Sequence, residues 1–260
     1  MFQNLLILIT ILCYGTCVAL QGISLQSNFN FRYLIFITIS LLAILSHGIL
    51  LYNWIETPLG QNLHFLNILS MVSWIMGIIV ICSKKESNLN NLVILLYPVS
   101  ILSIICRMLL INNIIITTAN AGVVTHIFLS IFALSALGLA ALQATIIYIQ
   151  GRSLKNIKSG NKLASLPPLQ NMEKILFKLI WLGVTFLTAA IACGIIYLDN
   201  IFAPNLLFKT LFTFTAWSLF SLLLLGRHLL GWRGDTAVRW TLSGMAALIT
   251  AYLFSKLFII

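Results

Sequence analysis

Histidine is the residue type in this chain that most directly suggests chemistry. The sequence contains four histidines, and two of them, His47 in LAILSHGILLY and His126 in AGVVTHIFLS, lie within apolar runs. A polar, ionisable side chain in such surroundings is costly enough to indicate a functional site. Neither has a carboxylate nearby in sequence, so we expect both imidazoles to be neutral, with a lone pair available to a metal ion.

A third histidine, His228, stands among arginines in LLLLGRHLLGWRGDTAVRWTLSG, residues 222–244. Arg227 precedes it, and Trp232 and Arg233 follow it in a Gly-Trp-Arg-Gly turn. Because arginine binds carboxylates in a bidentate fork, this segment predicts a ligand site with a metal-binding histidine beside a carboxylate-binding arginine. Alternatively, the same cations simply anchor the end of a helix at a membrane surface.

The composition indicates an integral membrane protein. Of 260 residues, 60% are hydrophobic and 8% are charged, with a mean hydropathy of +1.05. A hydrocarbon core about 30 Å thick requires roughly 20 apolar residues per helix. Eight runs have about this length: 3–20, 32–54, 64–82, 91–111, 123–149, 175–198, 206–226 and 239–259. We predict one all-α polytopic domain, 1–260, a bundle of eight transmembrane helices, and we expect the first run to be a retained span.

The distribution of charge predicts the topology. If residues 150–174 form a cytoplasmic loop, twelve of the fifteen Lys and Arg residues fall on the cytoplasmic side. These twelve are Arg32, Lys84, Lys85, Arg152, Lys155, Lys158, Lys162, Lys174, Lys178, Arg227, Arg233 and Arg239. The positive-inside rule then places both termini on the outer, periplasmic side of a bacterial cytoplasmic membrane. The basic excess is a topology signal, and no nucleic-acid partner is expected.

This topology groups the histidines by depth. His47 and His126 both lie on the order of 10 Å or less from the outer ends of their spans, at 1.5 Å per residue. His64 falls at the outer rim, where a hydrated histidine needs no function, and His228 lies at the cytoplasmic end of the seventh span. We therefore predict that His47 and His126 are axial ligands of one metal cofactor. A structural histidine would instead require a hydrogen-bond partner. The candidates for that partner are Ser46, Ser73 and Ser130.

Several other classes of site are not indicated. The five cysteines show no C-x-x-C spacing, so neither a disulfide framework nor a zinc site is expected. The chain has no phosphate-binding or hydrolase motif. Its five acidic residues lie in loops or at helix ends, which argues against the carboxylate relay of a proton-coupled pump. No catalytic residue is predicted.

Four segments together resemble the cytochrome c assembly family of membrane haem-handling proteins (CcsA-like), in particular its short inner-membrane members. They are GQNLHFLNILSMVSW, THIFLSIFALSALGLAALQATIIYIQ, PPLQNMEKILFKLIWLGVTFLTAAIACGIIYLDNIF and GRHLLGWRGDTAVRWTLSGMAALITAYLFSKLFI. The resemblance implies that His126 and His228 occupy positions of haem-linked histidines, and that His47 matches a histidine of the short members.

The resemblance implies a protein that binds or passes b-type haem in support of cytochrome c assembly or haem homeostasis. Its expected partners are the lipid bilayer and other cytochrome-assembly membrane proteins. The Trp-rich loop of larger family members is absent, because YLDNIFAPNLLFK between the sixth and seventh spans has no tryptophan. Two alternatives remain open, a small-molecule permease and a membrane scaffold, both with purely structural histidines.

Overall fold

In the part of the chain that it describes, the structure, a computed structural model, has eight α-helices and a very small antiparallel sheet. It describes residues 2–27, 33–58, 60–83, 89–110, 115–116, 121–155, 167–197 and 206–257. The helices are α1 (Phe2–Ser27), α2 (Tyr33–Ile55), α3 (Phe65–Cys82), α4 (Val93–Leu109), α5 (Ala121–Lys155), α6 (Leu169–Tyr197), α7 (Leu207–Leu229) and α8 (Asp235–Leu257). A 3-10 turn, Leu89–Leu92, precedes α4.

The prediction of an all-α protein is confirmed, with one helix for each apolar run. Within the described part of the chain, six helices combine the length and apolar composition needed to cross a membrane; α4 has 17 residues, and α8 is not among the six. Such segments form helices because a helix satisfies its own backbone hydrogen bonds in lipid. The number of spans and the side of the termini stay predictions.

Some helix ends lie beyond the apolar runs. Helix α5 continues to Lys155 and α6 begins at Leu169, so both ends of the predicted loop 150–174 are helical. The reason is that Gln, Arg, Lys and Glu, which occupy these turns, are good helix formers outside the hydrocarbon core as well. The sequence analysis did not predict the sheet, whose strands β1 (Glu56–Thr57), β2 (Gly60–Asn62) and β3 (Ile115–Ile116) pair in that order.

The chain forms two compact units. Unit 1 comprises Met1–Thr118 and Ser153–Pro168, and unit 2 comprises Ala119–Arg152 and Leu169–Ile260. In unit 1, α1 packs against α2 and α4, and α3 packs against α2 and α4. In unit 2, α7 packs against α6 and α8.

Glycines allow the helices of unit 2 to approach closely. A methyl group added at Gly183 would lie 2.5 Å from the side chain of Leu137, and one at Gly244 would lie 2.7 Å from Phe220. Small residues at helix contacts are the common way to bring transmembrane helices together, because apolar surface alone gives no preference for protein over lipid. Gly183 therefore allows α5 to pack closely on α6, which brings side chains of α5 near the backbone of α6.

Candidate functional site

His126 lies in the second turn of α5 and is half-buried. Its Nδ1 is 2.8 Å from the carbonyl oxygen of Ala190 on α6. Because a carbonyl oxygen only accepts hydrogen bonds, Nδ1 carries the proton and donates it. The tautomer is thereby fixed with an unprotonated Nε2, and this nitrogen makes no hydrogen bond with the described residues. A ring held by its Nδ1–H in this way is the usual arrangement of a metal-binding histidine.

The close approach of α5 to α6 explains the position of His126. The ring of Tyr197 occupies the space that a side chain at Gly122 would fill, with only 2.2 Å to an added methyl group. One turn away on α6, the thiol of Cys193 donates to the carbonyl oxygen of Gly122 at 3.4 Å. These contacts bring the Ala190 carbonyl within reach of the imidazole, so the tautomer follows from backbone packing.

His47 has a different environment. It is fully buried in unit 1, on α2, between the hydroxyl of Tyr14 on α1 and that of Ser70 on α3. Nδ1 lies 3.0 Å from the Tyr14 oxygen, and Nε2 lies 2.8 Å from Ser70 Oγ. Both ring nitrogens are therefore engaged, and the ring of Tyr14 packs against the imidazole edge-on at 5.7 Å. Binding iron through either nitrogen would require one of these hydrogen bonds to open.

The hydrogen-bond partners of these histidines differ from the serines that the sequence suggested. Ser46 receives a hydrogen bond from Thr10 at 2.9 Å. Ser73 lies 3.4 Å from Ser103 Oγ, and Ser130 donates to the backbone carbonyl of His126. The sequence does contain a signal for the actual partner, since Ser70 and Ser73 recur at helical spacing along one buried face of α3.

A buried polar network extends from His47 through unit 1. Ser103 on α4 lies 3.4 Å from Ser70 Oγ, which connects three helices through side-chain oxygens and one imidazole. The ring of Tyr97 is 4.6 Å from that of Tyr14, and its buried hydroxyl makes no hydrogen bond of standard geometry with the described residues. In a membrane such interhelical contacts stabilise a particular helix arrangement.

His64 caps the N-terminus of α3. Its Nδ1 accepts a hydrogen bond from the backbone N–H of Leu66 at 3.4 Å, and its own N–H donates to Asn62 Oδ1 at 3.2 Å. The residue is 3% exposed, so the expectation of a hydrated histidine at the rim was wrong. These two hydrogen bonds join it to β2 and to the first turn of α3.

The Gly-Trp-Arg-Gly turn is held by Arg227. Its Nη1 donates to the carbonyl oxygen of Trp232 at 3.2 Å, and its Cζ lies 4.8 Å from the centre of the Phe177 ring. The indole of Trp232 fills the space above Gly226 and packs 5.1 Å from the ring of Trp240. Arg227 and Trp232 are therefore in direct contact, and part of the guanidinium is committed to this turn.

Two exposed basic side chains lie near each other in sequence, His228 in the last turn of α7 and Arg233 in the Gly-Trp-Arg-Gly turn. Neither takes part in a hydrogen bond or ion pair among the described residues. Gly231 and Gly234 have φ of +67° and +59°, values that favour glycine, and the N–H of Gly234 donates to Glu173 at 2.9 Å. The backbone of the turn is thus fixed, and the side chains of His228 before it and Arg233 within it are exposed.

The predicted site residues fall in separate parts of the chain. His47 belongs to unit 1, whereas His126, Arg227, His228, Trp232 and Arg233 belong to unit 2. The pairing of His47 with His126 on one iron therefore stays a prediction. No group of three or more His, Cys, Asp or Glu side chains able to hold a metal ion occurs among the described residues. Haem differs from a bare ion in this respect, because the protein supplies only axial ligands.

The chain is similar to known membrane proteins over nearly its whole length. The family described as "Cytochrome C assembly protein" matches residues 5–260. Proteins named "Inner membrane protein YpjD" from Escherichia coli strains K12 and O157:H7 are each 30% identical over 258 residues, covering 96% of this chain and 96% of the relative. No solved structure matches the chain. With six helices suited to crossing a membrane among its described residues, the chain is a multi-pass inner-membrane protein.

Proposed function

This chain belongs to the cytochrome c assembly protein family, and we propose that it binds b-type haem in the inner membrane through His126. In this role it would hold or pass haem in support of cytochrome c assembly or haem homeostasis. The haem would supply the redox-active iron, whereas the protein would supply axial nitrogen ligands, orientation and an apolar environment.

The state of His126 is the observation that supports this proposal most strongly. The Ala190 carbonyl fixes the proton on Nδ1, and Nε2 is left with its lone pair and no partner among the described residues. His126 as a whole is half-buried, so its second ring nitrogen is not required for helix packing and can bind iron. The same Nδ1–H···O=C bond raises the basicity of the opposite nitrogen towards a metal.

The second axial ligand is a separate part of the proposal. His47 is the predicted partner, and either of its nitrogens would have to give up a hydrogen bond to Tyr14 or Ser70. Interhelical hydrogen bonds in membranes stabilise by about 0.6 kcal/mol on average, so this loss is small compared with typical cofactor affinities. Spectra of variants that lack His47 or His126 would therefore determine how many histidines bind the iron.

The turn at the end of α7 is the proposed cytoplasmic-side contact for haem. His228 and Arg233 are exposed there, and a guanidinium fork suits the two propionates of haem. Arg227 already donates to the Trp232 carbonyl, so Arg233 is the better candidate for a propionate and Arg227 the better candidate for shaping the turn.

The test is an absorption spectrum of the detergent-purified protein reconstituted with haem. The wild type should show a Soret band, and His126→Ala should abolish it or convert a low-spin spectrum to a high-spin one. Thr125→Ala is the matched control, because Thr125 is the exposed neighbour whose hydroxyl only bonds back to Ala121. If His126 is a ligand, the control keeps the wild-type spectrum.

The same experiment tests whether His47 and His126 bind one iron together. His47→Ala should also lose the low-spin spectrum if His47 is the second ligand, and should keep it if His47 only joins helices. An unchanged spectrum in His126→Ala would refute the proposal. Flux of a small solute through haem-free vesicles would support the permease alternative instead.

A further inference from the structure

Arg107 is an arginine whose side chain is largely buried in an apolar helix. It lies in the last turn of α4 in unit 1 and is 8% exposed. An arginine that merely snorkels to a membrane surface extends its head into water and remains mobile. The burial of Arg107 needs a different explanation, because a buried charge is expensive unless it has partners.

The guanidinium is held in a fixed orientation from one side. Its Nε donates to Asn67 Oδ1 at 2.6 Å. The amide of Asn67 is itself fixed, because its Nδ2 donates to the carbonyl oxygens of Trp54 and Asn62 at 3.3 and 2.8 Å. The indole of Trp54 lies 6.0 Å from the guanidinium carbon. These four residues, Trp54, Asn62, Asn67 and Arg107, are called the Arg107 cluster below.

The Arg107 cluster contains no negative charge. Asn67 is neutral, and no ion pair joins Arg107 to a carboxylate of the described residues. The described acidic residue of unit 1, Glu56, is exposed on β1. A partly buried guanidinium without a counter-ion among the described residues therefore leaves a positive charge that a bound anion would compensate.

The two terminal nitrogens are available for that purpose. Every fully buried side-chain nitrogen in the described residues has a hydrogen-bond partner. Nη1 and Nη2 of Arg107 have no hydrogen-bond partner among the described residues and are not fully buried, so they reach the surface of the unit. With Nε already bonded to Asn67, the end of the fork presents two parallel N–H groups, which match two oxygens of a phosphate or carboxylate.

The neighbouring residues indicate where that anion comes from. Met108, Leu109 and Leu110, which follow Arg107 directly, are 51%, 71% and 59% exposed and apolar. Such exposure is expected of side chains that face lipid at the end of a membrane-spanning helix, the level at which headgroup phosphates begin. We propose that the Arg107 cluster binds the phosphate group of a membrane phospholipid.

This proposal is independent of haem binding. It assigns Asn67 as a positioning residue that aims the fork, and Arg107 as the group that contacts the phosphate. Because Arg107 offers charge and two directed donors, a lysine in its place would keep the charge and lose the fork. Lipid binding should therefore weaken in the order wild type, Arg107→Lys, Arg107→Gln.

Native mass spectrometry of the full chain, released from nanodiscs of phosphatidylglycerol and phosphatidylcholine, tests the proposal. Wild-type protein should retain one phospholipid that Arg107→Gln retains at least tenfold less. Arg152→Gln is the matched control, because Arg152 is an exposed arginine at the end of α5 that stacks 5.1 Å from the Tyr148 ring. This control should retain lipid as the wild type does.

A thermal-stability measurement in detergent distinguishes the source of the phosphate and the state of the fold. Added phospholipid should raise the Tm of the wild type and of Arg152→Gln by several degrees more than that of Arg107→Lys, which keeps the buried charge and should stay folded. Equal lipid retention and equal Tm shifts in the Arg107 variants would overturn the proposal. A Tm shift produced by inorganic phosphate and not by phospholipid would overturn the assignment to lipid.

Discussion

Replacing His47 by alanine should lower the free energy of unfolding of the haem-free protein by about 1–3 kcal/mol through the loss of two hydrogen bonds. The substitution removes both ring hydrogen bonds, to Tyr14 and Ser70, at a position that is fully buried. Measured interhelical hydrogen bonds in a membrane protein average about 0.6 kcal/mol and reach about 1.7 kcal/mol, which gives this range for two bonds. The cavity left by the imidazole adds to it, because the lining atoms lose their packing contacts.

The assay is equilibrium unfolding by SDS in mixed micelles, followed by circular dichroism. Tyr14→Phe and Ser70→Ala each remove one of the two bonds and should each lower the free energy of unfolding by about 0.6–1.7 kcal/mol. A double-mutant cycle of Tyr14→Phe with His47→Ala should show coupling, because the two side chains share one bond. Unfolding of His47→Ala at the wild-type SDS fraction, or a cycle without coupling, would show that these hydrogen bonds do not stabilise the fold.

Three further predictions concern unit 2 and the topology. Reporter fusions should place residues 151–174 and 227–239 in the cytoplasm and the C-terminus outside; a cytoplasmic C-terminus would contradict the eight-span arrangement. His228→Ala should lower haem occupancy and leave protein abundance unchanged, as measured by the ratio of Soret absorbance to protein; an equal fall of both would indicate a plain anchor. Gly226→Ala should lower the Tm, since the new methyl group would lie 2.3 Å from the indole packed there, whereas Gly15→Ala, with nothing within 4 Å, should leave the Tm unchanged or raise it.

The apolar runs predicted the helices well, because run length and composition decide whether a segment can cross a membrane. The ends were harder to predict. Helix α5 ends at Lys155 and helix α6 begins at Leu169, so both helices include polar residues beyond the apolar runs. Helix propensity, and not hydrophobicity, determines how far a helix extends into water. The strands around Gly60 are too short to produce an alternating pattern, so nothing in the sequence indicated them.

The sequence identified the histidines but not what distinguishes them. His126 is oriented by the carbonyl of Ala190, 64 residues away, and a backbone oxygen leaves no trace in residue types. His47 is bonded to Tyr14, 33 residues earlier, and nothing local predicts that contact. The sequence does contain a signal for Arg107, which is an arginine inside the apolar run 91–111 of a chain with only five acidic residues.

The two histidines differ in the hydrogen-bond state of their rings. A ring with two hydroxyl partners is fully satisfied and suits the interior of a helix bundle. A ring with one backbone partner and one free nitrogen suits a ligand. Two residues of the same type, in similar apolar runs, can therefore serve different purposes, and the hydrogen-bond partners distinguish them.

Rescue of His126→Gly by free imidazole tests the central claim most directly. Removing the side chain while keeping the helix leaves a space beside the Ala190 carbonyl that an exogenous imidazole can enter. We expect the variant to lose the wild-type haem spectrum and millimolar imidazole to restore it, whereas the spectrum of the Thr125→Ala control should not change on adding imidazole. A His126→Gly protein whose spectrum matches the wild type without imidazole would contradict the claim that His126 binds the iron.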